Sequence, residues 1–513
     1  MADRLSAALA VLPERLGWHV TLSASALALG LAIALPLGIA AARNPRLKWL
    51  ALGAAGLVQT IPSLALLALF YPVLLLLSGL ATKVLGHGFP ALGFLPSLLA
   101  LTLYSMLPIL RNAAAGVSGI DPAVVEAARG VGMTDRQRLW RVELPLAAPV
   151  IMAGVRTAAV WTIGAATLST PVGQTSLGDY IFSGLQTEDW VAVLVGCAAS
   201  AGLALVVDGL LGLIEGGVAR REPRRLWVGG AGLAIGLLAA LGPLVVPHDK
   251  PAYVIGAKNF SEQYILAELM AGKLEAQGAA VQRRVNLGSV IAYRALASGE
   301  IDAYVDYSGT LWANILHRTD NPGRQAVLDT LRKDLKTRDG VVLLAPLGFE
   351  NAYALAMRRD RAEALGVKTL ADLATKSSQL TMGGDLEFFS RPEWASVEKQ
   401  YGLRFKAKRQ FQPTFMYRAL ESREADVISA FSSDGRIAAD DLVLLGDPKG
   451  ALPPYDAVIL VSPKRAGDRR LLDALKPLAG SIDVKAMQAA NYAVDRDTGK
   501  KSPAEAAQLL SAH

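Results

Sequence analysis

The sequence predicts a chain of two unlike parts, an all-α polytopic membrane domain of about six spans and then a two-lobed α/β domain. Three observations carry this. Up to about Pro247 the chain is a succession of long apolar runs, and beyond it charged residues return at ordinary globular density. Arginine collects in every second loop between the runs. The second half alternates short strand-like and longer helix-like stretches.

The average composition hides this break. Apolar residues make up 52% of the 513 residues, and the mean hydropathy is +0.33. Such a length allows two or three domains. The formal charge of +7 would suit nucleic acid, but many arginines of the first half stand at the ends of apolar runs, where membrane topology accounts for them. One cysteine, Cys197, lies in an apolar run, so no disulfide within the chain is available and cysteine usage says nothing of the compartment. The N-terminus carries Asp3, Arg4, Glu14 and Arg15 before an apolar run from Val20 to Arg43. That run lacks a convincing cleavage site and reads as a retained span.

Six spans are expected, at roughly 19–42, 50–80, 90–112, 147–170, 189–215 and 226–247. The loop after the first has Arg43, Arg46 and Lys48. The loop after the third has Arg111, Arg129, Arg136, Arg138 and Arg141, and that after the fifth has Arg220, Arg221, Arg224 and Arg225. The opposite loops hold Lys83 in one and neither Lys nor Arg over 171–188. The positive-inside rule then puts the arginine-rich loops in the cytoplasm and both termini outside. Pro36, Pro62, Pro72, Pro96 and Pro108 interrupt several runs; in a bundle, neighbouring helices satisfy the freed backbone groups. Asp208 is an acid deep in a span, open to a functional or a structural hydrogen-bonding reading.

Within the first half, 126–145 reads EAARGVGMTDRQRLWRVELP, too charged for a core or a lipid-facing helix. Glu126, Ala127 and Ala128, then Gly132, then Leu144 and Pro145 resemble the EAA loop of ABC importer permeases. The resemblance implies a short coupling helix that docks into a groove of a cytoplasmic ATPase subunit. Val142 stands where that family usually has Ile. The first half as a whole is similar to permeases of quaternary-amine importers, through QTIPSLALLAL at 59–69 and LPLAAPVIMAGVRTAAVWTIGAATL at 144–168. A homodimer is the economical assembly, because one six-span half cannot make a two-fold pathway.

The second half starts with the strand-like YVIGAKNF at Tyr253, then a helix-like stretch with Ser261 as its expected N-cap and Gly278 as its stop. VQRRVN is strand-like, and GSVIAYRALASGEID again reads as helix then turn. The segments 348–358 and 453–463 read as strands crossing between lobes. The division is therefore 1–248 for the membrane domain and 249–513 for the second, with lobe one over about 251–355 and 456–513 and lobe two over about 356–455. IGAKNFSEQYIL at 255–266, GEIDAYVDYSGT at 299–310, LGFENAYALA at 347–356, FSSDGRI at 431–437 and PPYDAV at 453–458 resemble, as a set, the binding proteins for glycine betaine, choline and carnitine. The resemblance implies a periplasmic-binding-protein-like fold and a betaine-like ligand.

A quaternary ammonium has no N–H to donate, so a protein selects it with aromatic faces. The resemblance places Tyr307, Tyr353, Phe431 and Tyr455 in such a cage, with Phe431 where Tyr is commoner. It also implies that Asn259, Gln263 and Thr310 hold the other end of the ligand. Arg391 reads either as a partner for a carboxylate or as part of an ion pair with Glu387 or Asp434, and Asn259 equally as a turn cap.

The sequence has no G-x-x-x-x-G-K-[ST] phosphate loop, so ATP hydrolysis is expected on a separate chain. It shows no nucleophile–base set, no paired cysteines and no HExxH, and no cofactor or metal is expected. An extracytoplasmic enzyme lacks its catalytic residues, and a membrane-anchored sensor would need one span and a signalling domain. The expected function is membrane permease and solute-binding component of an ATP-driven importer in a bacterial cell membrane. Its cargo is glycine betaine, choline or carnitine, or alternatively ergothioneine or another betaine.

Overall fold

The computed structural model describes residues 2–86, 88–187, 189–245, 252–318, 320–411, 413–496 and 498–511. The chain divides into two compact units, Met1–Gly184 with Trp190–His248, and Leu185–Asp189 with Asp249–His513.

The first unit is helical. Its elements are α1 (Ala2–Arg43), α2 (Pro45–Thr60), α3 (Ser63–Leu85), α4 (Phe94–Ser118), α5 (Pro122–Gly130), α6 (Asp135–Arg138), α7 (Leu144–Ala166), α8 (Gly178–Gln186), α9 (Trp190–Arg220) and α10 (Pro223–Val245). Among the described residues six helices are long and apolar enough to cross a membrane. The expected run at 50–80 is two helices. Asn44 caps α2, its Oδ1 accepting from Arg46 N at 3.0 Å and Leu47 N at 3.2 Å, and Pro45 takes the first turn, where its missing N–H costs nothing. Ahead of Pro62, Ile61 is pushed to extended backbone (φ −75°, ψ 126°), which ends α2. Pro36, Pro72 and Pro108 instead lie inside helices. Pro108 leaves the Tyr104 carbonyl without its helical donor, and Gln59 Nε2 approaches that oxygen at 3.4 Å from α2.

Small residues set the packing of α1, α4 and α7. A Cβ on Gly38 would lie 2.7 Å from Ala113 Cβ, and one on Gly154 would lie 2.6 Å from Asn112 Cβ. Only glycine lets these backbones approach so closely. Asp208 has a partner in the bundle, since Arg156 on α7 donates Nε at 2.5 Å and Nη2 at 2.6 Å to its two oxygens. Glu215 lies 3.3 Å from the same guanidinium, which favours the structural reading of Asp208.

The second unit contains two five-stranded mixed sheets. Its strands are β1 (Tyr253–Lys258), β2 (Val281–Leu287), β3 (Ala303–Tyr307), β4 (Val342–Glu350), β5 (Tyr353–Arg358), β6 (Thr381–Gly384), β7 (Ala407–Gln410), β8 (Val427–Phe431), β9 (Leu442–Leu444) and β10 (Asp456–Val461). The first sheet has the order β2-β1-β3-β10-β4 and the second β7-β6-β8-β5-β9. The chain leaves the first sheet at Asn351–Ala352 and returns before Asp456. Tyr353, Ala354 and Leu355 thus belong to the second sheet and not to the lobe that ends near 355 in the sequence reading. The two crossings lie side by side, with Asn351 N donating to Tyr455 O at 3.0 Å. All six residues of β10 are buried, as a strand covered on both faces must be.

One helix start differs from expectation. In α11 (Ser261–Glu275) the N-cap is Phe260, and no side chain caps the helix. Ser261 is the first helical residue, and its Oγ donates to Asp495 Oδ1 at 2.6 Å. Its hydroxyl therefore serves a tertiary contact rather than the helix end. Gly278, at φ +73°, makes the left-handed turn after α11 that a side chain would disfavour.

Candidate ligand-binding cleft

A cavity of about 640 Å³ lies between the two sheets of the second unit. Its size falls within the roughly 300–1,000 Å³ of small-molecule sites. One wall follows from strand register. β5 and β8 run antiparallel with Tyr353 opposite Phe431, and directly paired residues put their side chains on one face. The two ring centroids are 4.8 Å apart. Tyr455, just before β10, meets Tyr353 edge-on at 5.4 Å and 84°. Phe388 supports Tyr353 from 5.1 Å, and Trp394 supports Phe388 from 5.4 Å.

Arg391 belongs to this wall. Its guanidinium carbon is 5.2 Å from the Tyr353 centroid. Its Nη1 lies 3.4 Å from Tyr455 Oη and 3.5 Å from Glu393 Oε1. Tyr455 donates its hydroxyl to the same carboxylate oxygen. Arg391 thus pairs with Glu393, which the sequence reading missed, and not with Asp434. Asp434 instead takes Arg436 Nη2 at 2.7 Å, because both sit in one tight turn after β8 and reach each other without crossing the cleft. Burial alone would raise the Asp434 carboxyl, and Arg436 overrides this and holds it below the usual range. The Glu387 side chain lies outside the described residues.

Tyr307 stands apart from the other three aromatics. It ends β3 and faces Phe260 at 6.1 Å and 27°. The Lys258 ammonium is 5.1 Å from its ring centroid. The Tyr307 hydroxyl donates to Glu262 Oε1 at 2.6 Å and accepts from Gln263 Nε2 at 3.0 Å. Burial, with the Glu262 carboxylate beside it, pushes that hydroxyl well above the ordinary tyrosine value. Thr310 and Asn259 line the cleft, Thr310 buried and Asn259 exposed.

Gln263 does not line it. It is 1% exposed, and its Oε1 accepts from Lys258 N at 3.2 Å while its Nε2 holds Tyr307. It points inward because the first turn of α11 packs onto the end of β1. The expected ligand contact is therefore a brace behind the wall.

The sequence reading also missed Glu262, Asn351 and Asn491. Glu262 accepts from Asn351 Nδ2 at 3.0 Å and from Asn491 Nδ2 at 2.9 Å besides Tyr307. Burial raises its carboxyl above the usual range. Glu262 and Asn351 were within reach, since both lie in the FSEQ and GFENAYALA motifs. Asn491 stands in a helix 229 residues from Glu262, with no local signal.

The 126–145 segment is a second candidate site, in the first unit. α5 is capped by Asp121, whose Oδ1 accepts from Ala123 N at 2.9 Å. Gly132 turns the chain at φ +80°. A capping box of Thr134 and Gln137 starts α6. Glu126 and Ala127 are exposed, Ala128 is buried, Leu144 is half-buried and opens α7, and Pro145 is exposed. Two large apolar side chains, Val131 at 74% and Trp140 at 64%, are exposed here. The segment is not uniformly solvated. Glu143 is buried and takes Arg138 Nε at 2.7 Å and Arg43 Nη2 at 2.6 Å, tying the segment to the end of α1.

These features define a solute-binding domain of two lobes joined in one chain to a polytopic permease, transport components rather than an enzyme. Residues 251–510 match the family described as substrate binding domain of ABC-type glycine betaine transport system. Residues 34–220 match the binding-protein-dependent transport system inner membrane component. The chain is 30% identical over 487 residues to the ergothioneine transport permease/ergothioneine binding protein of Helicobacter pylori strain G27, covering 91% of this chain and 84% of that protein. It is 40% identical over 197 residues to the choline transport system permease protein of Bacillus subtilis strain 168, covering 38% of this chain and 83% of that one. A solved glycine betaine/carnitine/choline ABC transporter structure is 29% identical, covering 51% of this chain and 98% of its own, at a TM-score of 0.46. The chain belongs to the glycine betaine family of ABC importers, as a fused permease and substrate-binding protein of the inner membrane.

Proposed function

We propose that the cleft captures a quaternary ammonium compound such as glycine betaine, choline or carnitine and that the membrane half carries it inward. The observation behind this is the convergence of Tyr353, Phe431 and Tyr455 on one cleft wall. Aromatic faces attract a diffuse cation whose charge no hydrogen bond can reach. The ionic balance agrees. Glu262, Asp385, Asp434 and Asp495 line the cleft against Lys258, Arg391 and Arg436, and the paired acids Asp306 and Glu393 stand just behind. Four carboxylates then line the cleft against three cations, an excess that suits a positive ligand. Arg391 would meet the carboxylate of a zwitterionic ligand.

ATP hydrolysis takes place on a separate cytoplasmic ATPase chain that docks on α5 and the exposed Val131 and Trp140, two copies of this chain form the pathway, and the second unit lies outside the cell. Arginine-rich loops on one side of the spans support that orientation. A second reading, import of ergothioneine or a similar betaine, is favoured by the full-length fused relative from Helicobacter pylori. Titration calorimetry of the full-length protein in nanodiscs, with glycine betaine, choline, carnitine, ergothioneine and ordinary amino acids, separates these readings. Heat from no trimethylammonium compound would falsify the cage.

A further inference from the structure

The cations of the cleft are already matched. Lys258 donates to Asp306, Arg391 meets Glu393 and Arg436 holds Asp434. Glu262 differs. It lines the cleft from the second residue of α11 and is 3% exposed. Among the described residues its hydrogen-bond donors, Tyr307, Asn351 and Asn491, are all neutral. Each bond is one the carboxylate accepts, so the hydrogen bonds favour the ionised form while burial works against it and raises the carboxyl. A buried carboxylate held only by neutral dipoles lacks a counter-charge, a costly state that an entering cation relieves.

From these contacts we infer that Glu262 is the counter-charge of the ligand's cationic centre and the residue by which the cleft prefers a cation to a neutral molecule of the same shape. The inference rests on the quaternary-ammonium reading of the cleft. Its geometry is prearranged from several directions. Tyr307 ends β3, Asn351 lies in the crossing between the sheets, and Asn491 also donates to Ser433 O at 2.9 Å, just after β8. The carboxylate is therefore fixed relative to both lobes before a ligand arrives, and no reorganisation is needed when charge enters. A role confined to bracing the crossing would need acceptor oxygens there but no charge.

The test uses full-length protein in nanodiscs, with calorimetric titration of choline and glycine betaine and of their carbon isosteres, in which a tert-butyl group replaces trimethylammonium. In Glu262→Gln, affinity for the two quaternary ammonium compounds falls about tenfold or more, while that for the isosteres stays within about twofold. Glu262→Asp keeps the preference for cation over isostere even where both affinities fall. Equal losses for cation and isostere in Glu262→Gln, or no loss, overturn the inference. Absence of binding by any quaternary ammonium compound to the unaltered protein overturns the ligand reading as well, so the two failures are distinguishable.

Discussion

Asp495 offers a test in which the sign and the size both come from the structure. It is half-buried beside the cleft and accepts Ser261 Oγ at 2.6 Å. Burial is the main cause that raises its carboxyl from 3.8 to about 6, against the attraction of Arg436. A raised acid means that the native state binds the proton more tightly than the unfolded chain does. The resulting penalty is absent below pH 3.8, grows as pH rises and is complete above about 6. The rise from 3.8 to about 6 corresponds to at most ~3 kcal/mol, at about 1.36 kcal/mol per pH unit. Asp495→Asn removes the charge and keeps an oxygen for Ser261. The variant is expected to gain up to ~3 kcal/mol of stability at pH 8 and almost none at pH 3.5. Urea titration read by hydrogen exchange of peptides from 252–511 measures this without interference from the membrane half. No gain at pH 8, or a gain that persists unchanged at pH 3.5, would refute the burial argument.

Tyr353→Ala and Phe431→Ala should each weaken binding of a trimethylammonium ligand by about 0.5–2 kcal/mol in calorimetry. Gln263→Ala should weaken it less than Tyr353→Ala, since Gln263 only braces Tyr307; an equal or larger loss would restore it to the ligand contacts. Glu143→Ala removes the acid shared by Arg138 and Arg43, but Arg138 keeps Asp135 at 2.8 Å and Arg43 is 42% exposed, so the permease half should lose only about 1–3 kcal/mol in thermal unfolding. Deletion of 126–145 should abolish co-purification of the ATPase while ligand binding persists, and retained co-purification would reject the coupling role of that segment.

Parts of the site were legible because they are local in sequence. Tyr353 and Phe431 stand in motifs that the chain displays openly, and the strand pattern around them is short and apolar. Their meeting at 4.8 Å follows from the β5–β8 register, which no local pattern states. Gln263 illustrates the opposite. It lies beside Glu262 in the same motif, yet one residue faces the cleft and the other the interior, since neighbours on a helix point about 100° apart. Motif membership alone could not separate them. Glu393 was not foreseen beside Arg391, and Asp434 turned to Arg436 instead, because which acid reaches Arg391 depends on how the helices of the second lobe lie.

Hydropathy and charge along the chain were enough to determine the two-part plan, the six candidate spans and the presence of a charged segment, 126–145, between the third and fourth. Those properties arise from partition of each stretch between water and lipid, and they act residue by residue. Tertiary structure alone decided that Pro62 splits one run into two helices while Pro108 does not, that Asp208 is held by Arg156, and that the lobes change over at Asn351. It alone also brought Glu262 to Asn491 across 229 positions. Such contacts depend on which surfaces pack together, and packing is a property of the whole chain, so no stretch of sequence read by itself contains them.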